Sequence, residues 1–454
     1  MSERIDLLVH GGDVLTVDEA GTVVRDGAVA VRDGEILAVG GARELRARYP
    51  ADSVGTVINA GGCLVLPGLV NTHTHLAMTL LRGRADDVTL QGFLERVLRW
   101  EAELLSPKNV AAAVRVAVAE SVRAGVTAAL DMYWFHEVAE HVARDAGWRL
   151  LAGPTFMDVP DSPDGRAYEE RMEWARRDLA GRSTPRPGFR PALFAHSAYT
   201  LAPGQLTEIA ALAREFGALL HMHAAENAAE VAGVEVRYGK RPVELLDSLG
   251  LLGPDLLLAH AVDLTGPEVA ALARTGTSVA HCPVSNLKLG CGIAPVPRLL
   301  GAGVTVGLGT DGAVSSNTLD LLGVVRQAAL VHKAAGDPTA VGAEQAVRMA
   351  TIEGARALGL GDRLGSLEAG KRADLIVLDL GGPHLRPRHD VWSTLAYAAQ
   401  SADVRDTVVD GRVLMRDRVL TTLDEAAALA DLEASVRAGR AGGTVSGLEG
   451  NFPR

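Results

Sequence analysis

From Cys63 to Gly309 the chain repeats one pattern: an apolar run of strand length, then a stretch long enough for a helix. We read strands at Leu64–Leu69, Val126–Met132, Arg149–Pro154, Ala192–Ala195, Ala218–His223, Leu256–Ala259, Ser278–His281 and Thr305–Gly309. Helices fall between them, among them Asn109–Arg123, Thr207–Glu215, Glu268–Arg274 and Val296–Ala302. Short buried strands joined by helices make a parallel sheet, because each crossover returns the chain to the same end. Eight such alternations over about 300 residues predict an α/β chain built on a (β/α)8 TIM-type barrel. Aromatic residues make up only 4% of the sequence, so the core must be aliphatic. That suits a parallel sheet wrapped in Ala/Leu-rich helices.

The two ends have a different texture. Ile5–Val9, Asp13–Thr16, Ala28–Arg32 and Glu35–Val39 read as short strands separated by Gly11-Gly12 and Asp33-Gly34, with a helix at Ala42–Arg48. Beyond Gly365, short strands return at Asp374–Leu378, Asp403–Val409, Arg412–Met415 and Arg418–Leu420. Neither end is large enough to bury a core alone. We expect them to pair as a small β-sandwich, from residues 1–65 and 366–425, around a barrel at 66–365. A C-terminal helix and tail complete the chain at 426–454, with the Gly-rich tail Ala441–Arg454 expected to be loose.

A formal charge of −11, spread along the chain, argues against nucleic acid or an anionic membrane as partner, since both want a basic face. No run of about 18 apolar residues offers a membrane span, and the first residues do not read as a signal peptide. Cys63, Cys282 and Cys291 are odd in number and irregularly spaced. They suit buried thiols in a reducing compartment better than a disulfide framework, so a cytoplasmic location is expected.

The chemistry-bearing residues cluster at strand ends. Asn71-Thr72-His73-Thr74-His75 follows an apolar strand, and alternate strand residues point the same way, so His73 and His75 converge. Two neutral imidazoles there can share a borderline metal such as Zn²⁺ or Fe²⁺; a chance pair in a loop is the plain alternative. His221-Met222-His223-Ala224-Ala225-Glu226 closes another strand, adding an imidazole and a carboxylate able to shuttle protons. Taken alone, Glu226 also reads as a helix N-terminal acid, His260 as a hydrogen-bonded structural residue, and Asp311 in Gly309-Thr310-Asp311-Gly312 as a turn or helix cap. Together they line one end of one barrel, the end where barrel active sites lie. Independent structural accidents would not choose the same face. Tyr133, Trp134, Phe135 and His136 follow the second strand at that end, where aromatics could stack on a planar heterocycle or simply pack.

The order Pro67-Gly68-Leu69-Val70-Asn71-Thr72-His73-Thr74-His75, His223…Glu226, His260 and Gly309-Thr310-Asp311-Gly312 resembles the amidohydrolase superfamily. More narrowly it is similar to the methylthioadenosine/S-adenosylhomocysteine deaminases and their chlorohydrolase and cytosine deaminase-related kin. Met78–Gly83, His196–Thr200, Pro283–Leu289 and Leu364–Leu375 support the resemblance, which spans about residues 5–425. It implies that His73, His75, His223 and Asp311 hold one divalent metal, Zn with Fe as the alternative. Asp311 would also take a proton from the attacking water, Glu226 would protonate a ring nitrogen, and His260 would hold the attacking oxygen. His196, Trp100, Tyr133, Ser285 and Asn286 would face the substrate. Binuclear members carry a carboxylated lysine near Phe194-Ala195-His196-Ser197; none stands here, which favours a single metal. The resemblance further implies a small-molecule substrate, namely a purine or adenosine-type ring that loses ammonia, and a homo-oligomer. Triazine, pterin and pyrimidine rings, and a scaffold without chemistry, are the alternatives. Our alignment puts Ala102, between Glu101 and Glu103, where adenosine-type deaminases carry a ribose-holding Glu, and supplies no Arg after the third strand.

Overall fold

The computed structural model describes residues 4–159, 162–182 and 186–441. All but the first residue of the tail expected to be loose lies outside them. Eight parallel strands form the barrel: Leu69–His75, Val126–Asp131, Arg149–Ala152, Ala192–Ala195, Leu219–Ala224, Leu256–His260, Ser278–His281 and Val306–Leu308. The two-residue strand Thr155–Phe156 bridges the third strand to the fourth. Closure between the eighth and the first comes from Asp311–Gly312, which pairs in parallel with Thr74 and His75. The Thr72 hydroxyl donates to Leu308 O across the same seam at 2.9 Å.

Local sequence explains the helices between these strands. Pro107–Arg123 starts on Ser106, whose hydroxyl accepts from Asn109 N, with Pro107 in the first turn. Gly266–Thr275 has a capping box of Thr265 and Glu268 and stops at Gly276, which takes a positive φ of 74°.

Both chain ends enter one nine-stranded sheet. The C-terminal strand Leu375–Asp379 runs antiparallel to Cys63–Pro67, which in turn pairs with Ile5–Leu15. Strand alternation gives this sheet two apolar faces. Leu64, Leu66, Ile376 and Leu378 pack into the main core with the barrel helices, whereas Val65, Leu375 and Val377 join Leu7, Val9, Val29 and Val31 in a second core. The sheet curls over that second core until its far hairpins touch: a side chain at Gly411 would stand 3.0 Å from Val31 Cγ1. This is the expected small sandwich, made as one continuous ladder. Among the described residues no helix is long and apolar enough to cross a membrane.

Two expectations need correction. Gly11-Gly12 does not separate two strands but lies inside one, Ile5–Leu15, as a bulge with shifted register on either side. Glycine is required because a Cβ at Gly12 would meet Ala60 O at 2.7 Å. The apolar run Leu64–Val70 is likewise two strands, Cys63–Pro67 in the sandwich sheet and Leu69–His75 in the barrel. Pro67 cannot donate to a ladder, and a Cβ at Gly68 would overlap the Thr127 side chain at 2.1 Å. The chain therefore changes sheets at that pair.

A buried ion pair ties the two sheets together. Arg149, fully buried at the start of the third barrel strand, donates to Asp374 Oδ1 and Oδ2 at 2.9 and 3.0 Å and to Gly188 O at 2.9 Å. Arg149→Met would leave the Asp374 carboxylate buried and unpaired, and is expected to cost ~3–5 kcal/mol of stability in urea unfolding. Arg115→Ala, which removes the exposed pair with Asp431, should cost less than ~1 kcal/mol.

Candidate active site

Each candidate group sits where a barrel strand ends. His73 and His75 close the first strand, His223 is one residue from the end of the fifth, and His260 ends the sixth. Asp311 stands on the short strand that seals the barrel. All five are buried. His260 and Asp311 take left-handed backbone angles, φ 71° and 59°, so each side chain turns inward from a conformation non-glycine residues rarely adopt. Gly309 allows the close approach behind them, since a Cβ there would meet the His73 Cβ at 2.9 Å. Nitrogen atoms of His73, His75 and His223 lie within 4.8 Å of one another, and ligand atoms of His73, His260 and Asp311 form a second such group.

Hydrogen bonds behind the rings decide which nitrogen faces this space. His75 Nδ1 lies 2.6 Å from Met132 O and His223 Nδ1 2.9 Å from His196 O. Carbonyl oxygens only accept, so both rings carry hydrogen on Nδ1 and present a bare Nε2. His260 Nδ1 donates in the same way to Asn286 Oδ1 at 2.8 Å. His73 is different: its Nδ1 stands 2.8 Å from Nε2 of another histidine, His221. His221 Nδ1 donates to Leu257 O at 2.8 Å, and burial holds this ring well below its ordinary pKa. A neutral His221 with hydrogen on Nδ1 can only accept from His73, so His73 also presents a bare Nε2.

These bare nitrogens face a carboxylate. Asp311 Oδ1 lies 3.4 Å from His73 Nε2 and 3.2 Å from His75 Nε2, while the buried His73 Nε2 has no hydrogen-bond partner. Lone pairs opposed at that range repel unless positive charge lies between them. Burial opposes charge on His75, yet the hydrogen bond and charge of Asp311 raise its pKa, so even a proton is drawn into this space. Burial pushes Asp311 the other way too, but His73 and His75 hold its carboxyl well below the usual range. Its Oδ2 accepts from Ser285 Oγ at 2.5 Å and Ser315 Oγ at 2.7 Å. The nitrogens of His73, His75 and His223, with the Asp311 oxygen beside two of them, make a donor set that suits a divalent ion.

The space opens into a cleft of about 670 Å³, mouth included. Glu226 faces it with Oε1 3.7 Å from His260 Nε2, and burial raises its carboxyl pKa. Glu226 does precede the N-cap Asn227 of Ala228–Tyr238, at a helix N-terminus, and it also lines the cleft. Asp311 is not a cap, because Asp320 caps Leu321–Val331. His196 and Tyr133 line the cleft, as expected of substrate-facing groups. Burial, reinforced by His75 and His73, lowers the His196 pKa to about 3, so it stays neutral.

Three residues expected to face substrate stand elsewhere. Trp100 packs into the main core outside the lining, while Ser285 and Asn286 lie behind Asp311 and His260 as their hydrogen-bond partners. One lining carboxylate escaped our alignment. Glu101, rather than Ala102, faces the cleft, accepting from the Tyr133 hydroxyl at 2.6 Å, and burial raises its pKa. Helical spacing carried the signal: Leu90, Phe93, Leu94, Val97 and Leu98 form one stripe, and Glu101 is its next member, whereas Ala102 is exposed. His221 was named only as part of its motif, and nothing local marks it as the partner of a residue 148 positions away.

A model of the amidohydrolase family matches residues 64–414, and one of a bacterial imidazolonepropionase-like composite domain matches residues 27–51. A 5-methylthioadenosine/S-adenosylhomocysteine deaminase of Syntrophobacter fumaroxidans is 46% identical over 93% of this chain and 96% of its own. A 5'-deoxyadenosine deaminase of Methanosarcina mazei is 39% identical over 92% and 95%. Among solved structures, a zinc-bound adenosine deaminase from Xanthomonas campestris superposes with a TM-score of 0.91 at 37% identity, covering 97% of this chain and all of its own. A zinc complex of atrazine chlorohydrolase from Arthrobacter aurescens gives 0.87 at 28%, covering 95% and 100%.

The imidazole relay yields a test independent of turnover. His221→Ala frees the His73 ring and is expected to weaken zinc binding about 10–100-fold in competition with a chelator. His221→Gln, whose amide oxygen can still accept from His73, should recover most of that affinity.

Proposed function

The chain belongs to the amidohydrolase family, and on that footing we propose that it is an adenosine-type deaminase. It exchanges the exocyclic amine of a 6-aminopurine nucleoside for oxygen, consuming one water and releasing ammonia. The observation that carries this reading is one cleft in which His75, His223 and Asp311, with His73 buried behind them, meet the Glu226–His260 pair and Glu101. We assign zinc to the four-residue cluster, with iron as the alternative. A divalent ion there lowers the pKa of a water ligand from 15.7 towards about 7 and so supplies the nucleophile at neutral pH.

The remaining work falls to side chains. Glu226 delivers a proton to the ring nitrogen, which makes the attacked carbon more electrophilic. Its burial-raised pKa suits it to carry that proton near neutrality. His260, fixed by Asn286, points Nε2 towards the attacking oxygen and orients it. Asp311 takes the proton of the attacking water; Ser285 and Ser315 hold the carboxylate in place for this. Amine is a poor leaving group until protonated, so Asp311 passes it the proton taken from water as ammonia departs, and Glu226 recovers its own from the hydroxyl left on the attacked carbon. Glu101 and Tyr133 supply an acceptor and a hydroxyl for the ribose diol. A carboxylate there has no use for a triazine, so the nucleoside is favoured over the chlorohydrolase alternative. We place the enzyme in the cytoplasm on its three free buried thiols and, by family analogy, as a homo-oligomer.

Ammonia release from a panel of amino-purine nucleosides, pterins and triazines tests the assignment, and chloride release without ammonia would sink it. His223→Ala and Asp311→Asn are each expected to abolish turnover. Glu226→Gln should keep its metal and lose roughly 10²–10⁴-fold in rate. Because the acid must be protonated and its folded pKa is raised, kcat/KM should be sustained at low pH by this group. It should fall as pH rises through a limb above the ordinary carboxylate range, and Glu226→Gln should lose that limb.

A further inference from the structure

We propose that this enzyme selects adenosines whose 5' substituent is apolar where it meets the protein, and discriminates against the zwitterionic amino-acid extension of S-adenosylhomocysteine. The inference rests on the deaminase reading above and refines its substrate.

The two ends of the cleft differ in chemistry. His75, His223, Asp311, Glu226 and His260 surround the reacting ring, Glu101 with Tyr133 stands at the ribose, and His196, Thr155 and Tyr199 are the other polar lining residues. Beyond Glu101 one wall is the helix Leu90–Leu104, which turns Leu90, Phe93, Leu94, Val97 and Leu98 towards the cleft. That stripe extends about 16 Å from Glu101 to Leu90 at 1.5 Å per residue. Leu289 lines the cleft as well. A group leaving the ribose at its 5' carbon meets this surface, and burying apolar atoms against it favours binding.

No Lys or Arg among the described residues lines the cleft. Two cations near its walls, Arg171 and Lys288, are already committed. Arg171 passes behind the wall, 5.0 Å from the Trp134 ring, and donates to both oxygens of Asp164 at 2.6 and 2.7 Å and to Thr155 O at 3.0 Å. Lys288 is held by Asp86 Oδ1 at 2.6 Å and Val314 O at 2.9 Å. Among the described residues that line the cleft, the charged side chains beside the histidines are the carboxylates of Glu101, Glu226 and Asp311. A homocysteine carboxylate laid along the stripe loses water and gains no partner, which is costly. A methylthio or methyl group loses nothing there.

The test compares zinc-loaded protein on 5'-methylthioadenosine, 5'-deoxyadenosine and S-adenosylhomocysteine by ammonia release. We expect kcat/KM for the two apolar nucleosides to exceed that for S-adenosylhomocysteine by about tenfold or more. Leu94→Arg, at a half-buried position on the stripe, should narrow the ratio by raising S-adenosylhomocysteine turnover. Equal or faster turnover of S-adenosylhomocysteine by the unaltered enzyme overturns this inference and leaves the deaminase reading intact. An active Leu94→Arg enzyme with an unchanged ratio overturns the role of the helix. No ammonia from any of the three overturns the deaminase reading, and the inference with it.

Discussion

Bare imidazole nitrogens held 3.2–3.4 Å from a carboxylate oxygen cannot rest in a dry interior without positive charge among them. The arrangement persists because each ring is pinned from behind. Met132 O, His196 O and Asn286 take the Nδ1 hydrogens of three rings, and His221 takes that of the fourth. Much of the architecture at this end serves that pinning. Parallel strands bring backbone carbonyls into register with the rings of their neighbours: Met132 follows the second strand and His196 the fourth, each beside the histidine it orients. Leu257, which sits opposite His221 in the ladder, fixes the relay at its far end.

The same constraint explains why polar residues without an obvious role are fully buried here. Ser285 and Asn286 follow the seventh strand, and Ser315 lies just beyond the closing pair Asp311–Gly312. They occupy positions from which Asp311 and His260 can be held without meeting a substrate. A buried carboxylate with two hydroxyl donors keeps one oxygen still while the other addresses the cluster. Specificity is then left to elements outside the barrel strands. The helix Leu90–Leu104 supplies both the Glu101 carboxylate and an apolar wall of the cleft, so one amphipathic stripe brings both chemistries to it.

Among the described residues the sandwich sheet contributes none to the lining of the cleft, yet it is not an appendage. Its strands from both ends alternate faces between a small core of their own and the barrel helices. Arg149 carries the connection through the third barrel strand to Asp374. The ion pair thus lies at one end of the barrel axis and the histidine–aspartate cluster at the other.

Sequence alone was enough for the barrel, for the pairing of the two ends and for the convergence of His73, His75, His223, Glu226, His260 and Asp311 at one end of it. Strand and helix periods are local, and ligands that end apolar strands inherit a shared face from the fold. It misplaced Gly11-Gly12 and Pro67-Gly68, because a glycine that opens a turn and one that admits a neighbouring backbone look alike until the neighbour is known. It left Glu101 one residue off, although the 3.6-residue period pointed to it. Only the tertiary structure decided that Ser285 and Asn286 stand behind the chemistry, that Trp100 is core, and that His221 sets the tautomer of His73. Those are contacts between residues far apart in the chain, such as the 148 positions from His73 to His221, and a hydrogen bond at that separation leaves no trace in either segment alone.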